Sequence, residues 1–416
     1  MKQIFWKFFP FWIFLIFFKF GGGLHYSLIS PLGEKFLPLW LVGILMGGSS
    51  LVQLLLDVPA GHLLDRYGYL RFLKITTFLF LVAALCISYG LTINTYFLSI
   101  FFSIFGWLFY GSGVNAYILS HAPKESAGKF ISLRDVAGSI GMMLGSAALP
   151  FVLLFAPHYS YMGYVIFAFL FVSFIALFFS PKDRVSVHAE TKLPTQHHYI
   201  RRHFIHTTIQ AMRRLNPASS MLIMLDLAGS IFYGVIWFVV PLVIAHQADA
   251  KLLGLGLGIF DFAVVALGFL LGSLADKANK RTLVFFGLLI FSISGMLLGL
   301  NFGWLFLLFG FLATTGDEMA GLSLWSWLHS LDREHASDGV IAGVIGFFQD
   351  LGWAIGPVFA GIAYGLVGPS MTIIIGAIPI LIIWAVYQIK MREHHSHSGL
   401  SFALIPQKPH RARHKT

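Results

Sequence analysis

The chain has 416 residues, 57% of them hydrophobic and 11% charged, with a mean hydropathy of +0.79 and a formal net charge of +10. A soluble protein of this composition lacks the polar surface to cover itself, so most of its surface faces lipid. Its single cysteine, Cys86, excludes an intrachain disulfide framework and a thiolate metal site.

A membrane-crossing helix needs about 20 predominantly apolar residues. Twelve such runs follow one another, near 8–32, 37–62, 72–92, 94–120, 130–156, 160–180, 218–245, 252–275, 282–301, 303–330, 340–367 and 370–390. The first follows N-terminal lysines like a signal peptide. No small-residue cleavage site follows, however, and the run is too long, so it reads as a retained helix. Run 2 ends in Asp57-x-Pro59-x-Gly61-x-Leu63-x-Asp65-Arg66-x-Gly68, with Arg71 shortly after. Run 5 carries Gly141, Gly145 and Pro150.

Residues 181–217 break the apolar pattern with Lys, Arg, Pro and five histidines, and divide a unit at 1–180 from a second at 218–390. Within this linker, Tyr199 to Leu215 reads either as a helix lying on the membrane surface or as a solvated connector. The polar stretch 391–416 reads as a cytosolic tail. In the second unit, run 8 ends in Gly272-x-Leu274-x-Asp276-Lys277, and run 11 carries Gly352, Gly356, Pro357 and Gly361. Gly61 and Gly272, Gly141 and Gly352, and Gly145 and Gly356 are each 211 positions apart. One offset shared by unrelated glycine patterns identifies a duplicated membrane unit.

The basic balance is a topology signal. All the Lys and Arg except Lys35, Lys251 and the intramembrane Lys19 fall on one side, which the positive-inside rule makes cytosolic, with both termini there. Nucleic acid is therefore not the expected partner; lipid and a small molecule are, and no obligate protein partner is inferred. Histidines of the linker and tail have no zinc spacing, so no metal is expected. Nucleotide-binding loops, nucleophile elbows and His-Glu-x-x-His motifs are missing from the sequence, which argues against an enzyme.

Charge inside an apolar span costs several kcal/mol, so its position is informative. Lys19, Asp261, Asp317, Glu318 and Asp350 lie deep in runs 1, 8, 10 and 11, whereas the middles of runs 3, 6, 9 and 12 carry none. Either Asp317 or Glu318 is the first candidate for proton coupling. As neighbours they point in different directions, one into the cavity and the other toward helix 11. Asp350 and Asp261 come next, with Lys19 as counter-charge. His25, Tyr26, Tyr110, Asn115, Tyr233, Trp237, Trp325 and Trp327 could shape a substrate cavity.

Two six-helix units, a central loop and the run 2 motif together resemble the major facilitator superfamily over residues 8–390. The resemblance implies an all-α fold of twelve transmembrane helices in two pseudo-symmetric bundles, with helices 1, 4, 7 and 10 around a cavity and 3, 6, 9 and 12 facing lipid. It also implies that Asp57, Gly61, Asp65, Arg66, Gly68 and Arg71, with Gly272, Asp276 and Lys277 in the second copy, form a conformational latch. In this chain Tyr69 and Leu70 stand where the family places two bases, and Asn279 stands where the second copy would have its glycine. Gly141, Gly145, Gly352, Gly356 and Pro357 look like the family's helix 5 motif and read as packing and hinge positions.

The expected function is secondary active transport by alternating access in the inner (plasma) membrane. Its energy would come from a proton gradient with no cofactor, and its cargo would be a small amphipathic or cationic compound moved outward. The same features admit proton-linked uptake of a sugar, organic acid or other nutrient, with Lys19 binding the substrate. They also admit a non-transporting membrane sensor or assembly partner.

Overall fold

A computed structural model describes residues 6–121, 127–155, 159–182, 217–246, 251–300, 303–331 and 338–397. The linker, the readings made on Tyr199 to Leu215, and the side chains of the linker and tail histidines lie outside the described residues. Apolar runs with few breaks form long helices: α1 Phe9–Gly33, α2 Leu39–Tyr67, α3 Tyr69–Ser88, α4 Ile93–His121, α5 Ala127–Phe155 and α6 Tyr159–Phe179. The second series is α7 Pro217–His246, α8 Lys251–Lys277, α9 Lys280–Leu300 and α10 Trp304–Leu331. The final element, Asp338–His397, is broken at Gly368 (φ 78°, ψ 173°) just before Pro369. Its two arms, 338–367 and 369–397, are α11 and α12.

The twelve runs thus appear as eleven helical elements, the last one bent into two arms. Among the described residues nine helices are long and apolar enough to cross a membrane, one of these spans covering both arms. The glycine-rich and charge-bearing α5 and α8 are not among them. No strand occurs among the described residues.

Packing repeats with the sequence. In the first series α1 packs on α5 and α6, α3 on α4 and α6, and α2 on α4. Adding six to each label gives the packing of the second: α7 on α11 and α12, α9 on α10 and α12, and α8 on α10. The repeat extends to single atoms. A Cβ at Gly141 would strike the carbonyl oxygen of Ile16 on α1, and one at Gly352 would lie 2.9 Å from that of Leu227 on α7. Gly145 likewise abuts Phe20, and Gly356 abuts Ile231. Ile16 and Leu227, like Phe20 and Ile231, are again 211 positions apart. These glycines let two backbones touch where no lipid or side chain intervenes.

The turn between α2 and α3 needs a glycine, because Gly68 sits at φ 94°. Its counterpart Asn279 does different work. The Asn279 Oδ1 accepts the Arg281 backbone N–H at 3.0 Å and caps the start of α9, so the departure from the motif at this position has a local reason. On α3, α6, α9 and α12, whose middles carry no charge, large apolar residues such as Phe78, Phe178, Phe286 and Ile382 are exposed, as a lipid-facing surface requires.

Contacts between the two halves gather toward the end of the bundle opposite Arg66 and Arg281, called here the far end. Gly43 and Gly47 on α2 meet Pro357 and Ala354 on α11, and Gly361 meets Leu39. Gly258 on α8 packs on Met143 and Ala147 of α5, with a Cβ there only 2.9 Å from both. Ser30 Oγ donates to the Phe238 carbonyl at 3.1 Å, and His246 pairs with Glu34 at 2.8 Å. The basic end differs. A Cβ at Gly61, Gly111, Gly272 or Gly321 would meet nothing within 4 Å among the described residues.

Gly145→Val and Gly356→Val should each destabilise the purified protein by about 1–3 kcal/mol through backbone overpacking. Gly61→Ala and Gly272→Ala should leave the thermal midpoint unchanged or slightly raised. Unfolding followed by fluorescence-detected size exclusion distinguishes the two sets, and equal behaviour of all four would contradict the contact assignment.

Candidate functional site

Between the halves lies a group of half-buried charges contributed by both. Lys19 projects from α1 beside α5, whose Gly141 leaves room for the root of the lysine side chain. Its ammonium lies over two rings of α4, 4.8 Å from the Trp107 centroid and 5.0 Å from that of Tyr110. Tyr110 is itself fixed by stacking on Phe18 at 4.5 Å and 8°. The charges that act on Lys19 are Asp261 of α8 and then Arg134 and Asp135 of α5. Among the described residues no carboxylate comes within the 4.0 Å of an ion pair. Lys19 therefore faces Asp261 electrostatically while resting on aromatic faces rather than in a closed pair.

The acids are divided between two directions. Asp261 is under the influence of Lys19 and Glu318, and its Oδ2 is buried without a hydrogen-bond partner. Glu318 looks toward Asp135 of the other half. Its neighbour Asp317 turns into the second half, toward Tyr233 and Asp226. Gln349 of α11 lies beside Asp226. The expected divergence of Asp317 and Glu318 is present, but the inward-turned member packs toward α7, not helix 11. Asp350 sits beside Gln349 on α11, half-buried.

Nearer the basic end, the Arg134 guanidinium donates to Asn115 Oδ1 and to Asp135, the latter at 2.5 Å from Nη2. Asp135 is 51% exposed, so this is the mouth of the cavity. Toward the far end the cavity runs into aromatic residues. Trp353 stands 6.4 Å from Tyr26 and 6.1 Å from Tyr233, and Tyr26 in turn lies 6.0 Å from Trp237.

His25 does not belong to this group. It is buried among α1, α3 and α4, hydrogen-bonded to Ser99 Oγ at 2.9 Å and lining a small pocket with Leu28, Ile87, Tyr96 and Ile100. Its place in the expected substrate cavity is therefore corrected to a position inside the first half. The side chains of Asp57, Asp65, Asp276, Lys277, Trp325 and Trp327 lie outside the described residues. Of the remaining motif residues, Arg66 is exposed with its guanidinium 5.3 Å from the Tyr67 ring, and Arg71 is exposed. Among the described residues no group of three or more His, Cys, Asp or Glu could hold a metal ion.

Sequence reasoning missed Arg134, Asp135, Trp107 and Trp353. Arg134 and Asp135 fall near the start of run 5, so a depth criterion classed them with the loop charges. Trp353 lies between two glycines read only for packing.

A family model described as Major Facilitator Superfamily matches residues 8–357. The chain belongs to the major facilitator superfamily. No curated protein sequence matches the chain. Among solved structures it is similar to a POT family transporter in complex with 5-aminolevulinic acid, at 10% identity and a TM-score of 0.69, covering 92% of this chain and 96% of that one. It is also similar to a POT family transporter in complex with a thioalcohol-conjugated peptide, at 11% identity and a TM-score of 0.68, with the same coverage. At such identities the likeness is one of fold. The protein is an integral membrane protein and a secondary transporter of this superfamily.

In a Cys86→Ser background, Asp135→Cys at the mouth of the transporter should react readily with a water-soluble maleimide. Ser99→Cys, only 2% exposed beside His25, should react at least tenfold more slowly. Equal labelling rates would contradict the placement of the mouth.

Proposed function

We propose that this transporter uses proton entry to export a small amphipathic or cationic compound by alternating access. The observation that carries this reading is the imbalance of charge around the cavity. Among the described residues the group holds five acids, Asp135, Asp226, Asp261, Asp317 and Glu318, against two bases, Lys19 and Arg134, and is drawn from both halves. A carboxylate in such a place is costly when ionised, and either a proton or a cationic ligand relieves the cost. Competition between the two for the same acids is the simplest way to couple their movements. Asp261 and Glu318 are the members turned toward the other half, so rocking of the halves changes their surroundings most.

With the basic side taken as cytosolic, a structure joined at its far end and open near Gly61 is an inward-facing form. The Gly61 to Gly68 and Gly272 to Lys277 segments would then engage in the opposite form, when the basic end closes. Lys19, held on rings without an ion pair, favours a second reading in which a carboxylate-bearing nutrient enters with protons. Both solved relatives are described with an amino acid or peptide ligand, which supports keeping that reading in the test.

Proteoliposomes containing the full chain, loaded with a pH-sensitive dye, test the proposal. Lipophilic cations should evoke proton movement opposite to their own, and Asp317→Asn with Glu318→Gln should abolish it. Proton movement in the same direction as an organic acid or peptide would instead establish uptake. In Cys86→Ser protein, bridging Glu34→Cys to His246→Cys with a short thiol crosslinker should stop transport by holding the far end shut. Undiminished transport in the crosslinked protein would sink the alternating-access assignment of that end.

A further inference from the structure

The deep end of the cavity is built from three half-buried rings on three helices: Tyr26 of α1, Tyr233 of α7 and Trp353 of α11. Trp353 is the shared wall. Tyr26 stands at 75° to it and Tyr233 at 56°, with centroids 6.4 and 6.1 Å away, so the rings form the sides of a corner rather than a stack. Their positions are imposed by features outside the corner. Gly352 and Gly356, on either side of Trp353, bring α11 into backbone contact with α7 at Leu227 and Ile231, just before Tyr233. Tyr233 faces Asp317 and Thr314 on one side and packs against Phe291 at 5.8 Å. Tyr26 is backed by Trp237.

Elsewhere in the same cavity the protein displays what such rings do. Lys19 rests its ammonium on Trp107 and Tyr110 at 4.8 and 5.0 Å, a cation held by ring faces within a few residues of acids. No described Lys or Arg lies over Tyr26, Tyr233 or Trp353. Asp317, Glu318 and Asp261 all act electrostatically on Tyr233. A negative field behind negative ring faces attracts positive charge twice over, while offering few donors to an anion.

We infer that the corner formed by Tyr26, Tyr233 and Trp353 is the binding subsite for the charged head of an N-alkylated ammonium compound. The preference for alkylated over primary ammonium follows from hydration. A primary ammonium holds its water tightly and gains most from direct hydrogen bonds to a carboxylate. A quaternary ammonium has no N–H donor, sheds water readily and spreads its charge over methyl groups that fit against rings. The apolar remainder of such a ligand would lie along the cavity toward Lys19 and Tyr110. This assignment rests on the proposed export of an organic cation and narrows it to one chemical class and one place.

The test uses the purified full-length transporter in nanodiscs, with benzyltrimethylammonium and benzylamine as probes. Calorimetric titration should show the quaternary probe binding at least tenfold more tightly. Trp353→Leu should weaken its binding about ten- to thirtyfold, the range expected on losing a desolvated cation–π contact. Trp353→Phe should lose less. Successive fluorination of a tryptophan at 353 should lower affinity stepwise while keeping the shape, a pattern that a purely structural tryptophan would not give. Binding within twofold of wild type in a well-folded Trp353→Leu protein, or a flat fluorination series, would overturn the subsite. Failure of the wild type to bind the quaternary probe would also overturn it, while proton flux evoked by other cations would leave the export reading standing. No proton flux with any cation would remove both.

Discussion

Charge is excluded from hydrocarbon, and the arrangement of this transporter follows from meeting that constraint while keeping Lys19, Asp261, Asp317 and Glu318 inside the membrane. Each must be enclosed by protein or open to water, which turns its helix inward and leaves the helices with charge-free middles outside. The exposed phenylalanines and isoleucines of α3, α6, α9 and α12 are the other face of the same constraint. Once enclosed, the charges are arranged so that none is fully neutralised. Lys19 rests on rings, and Asp261 keeps one oxygen without a partner. Groups left in this condition respond to a proton or a ligand, whereas a closed buried pair would resist change.

The two halves repeat their backbone contacts and not their chemistry. Gly141 and Gly145 repeat as Gly352 and Gly356, down to the residues they touch. The charges are private to one copy: the counterpart of Lys19 is Ser230, that of Asp261 is Ser50, and Glu318 replaces the ring of Trp107. One half therefore carries a base seated on aromatic faces and the other carries most of the acids. In the proposed mechanism, rocking of the halves would change the distance between these sets with no change inside either.

The fold was readable because the signals are strong and local. A long apolar run makes a helix in lipid whatever its neighbours do, and a shared 211-residue offset survives in any tertiary arrangement. Within the site, Lys19, Asp261, Asp317 and Glu318 were legible from their depth in apolar runs alone. Arg134 and Asp135 were not, because a charge near a helix end is ordinary until the fold shows the helix opening into a cavity. His25 misled for the converse reason. A polar residue on a cavity helix can point either way around its axis, and this one points into its own half toward Ser99.

The sequence by itself determined that the chain is a duplicated helical membrane protein, which helices carry charge that must be kept from lipid, and which glycines repeat between the two copies. Hydrophobic length, charge placement and internal repetition are properties of the chain, so they need no partner to be read. Only the tertiary structure decided which rings share a corner, that Lys19 lies on Trp107 and Tyr110 instead of in an ion pair, and that Trp353 joins Tyr26 to Tyr233. Those outcomes depend on the rotation of each helix about its axis and on its depth relative to its neighbours. Both are set by contacts between residues hundreds of positions apart, through side-chain packing that no local pattern encodes.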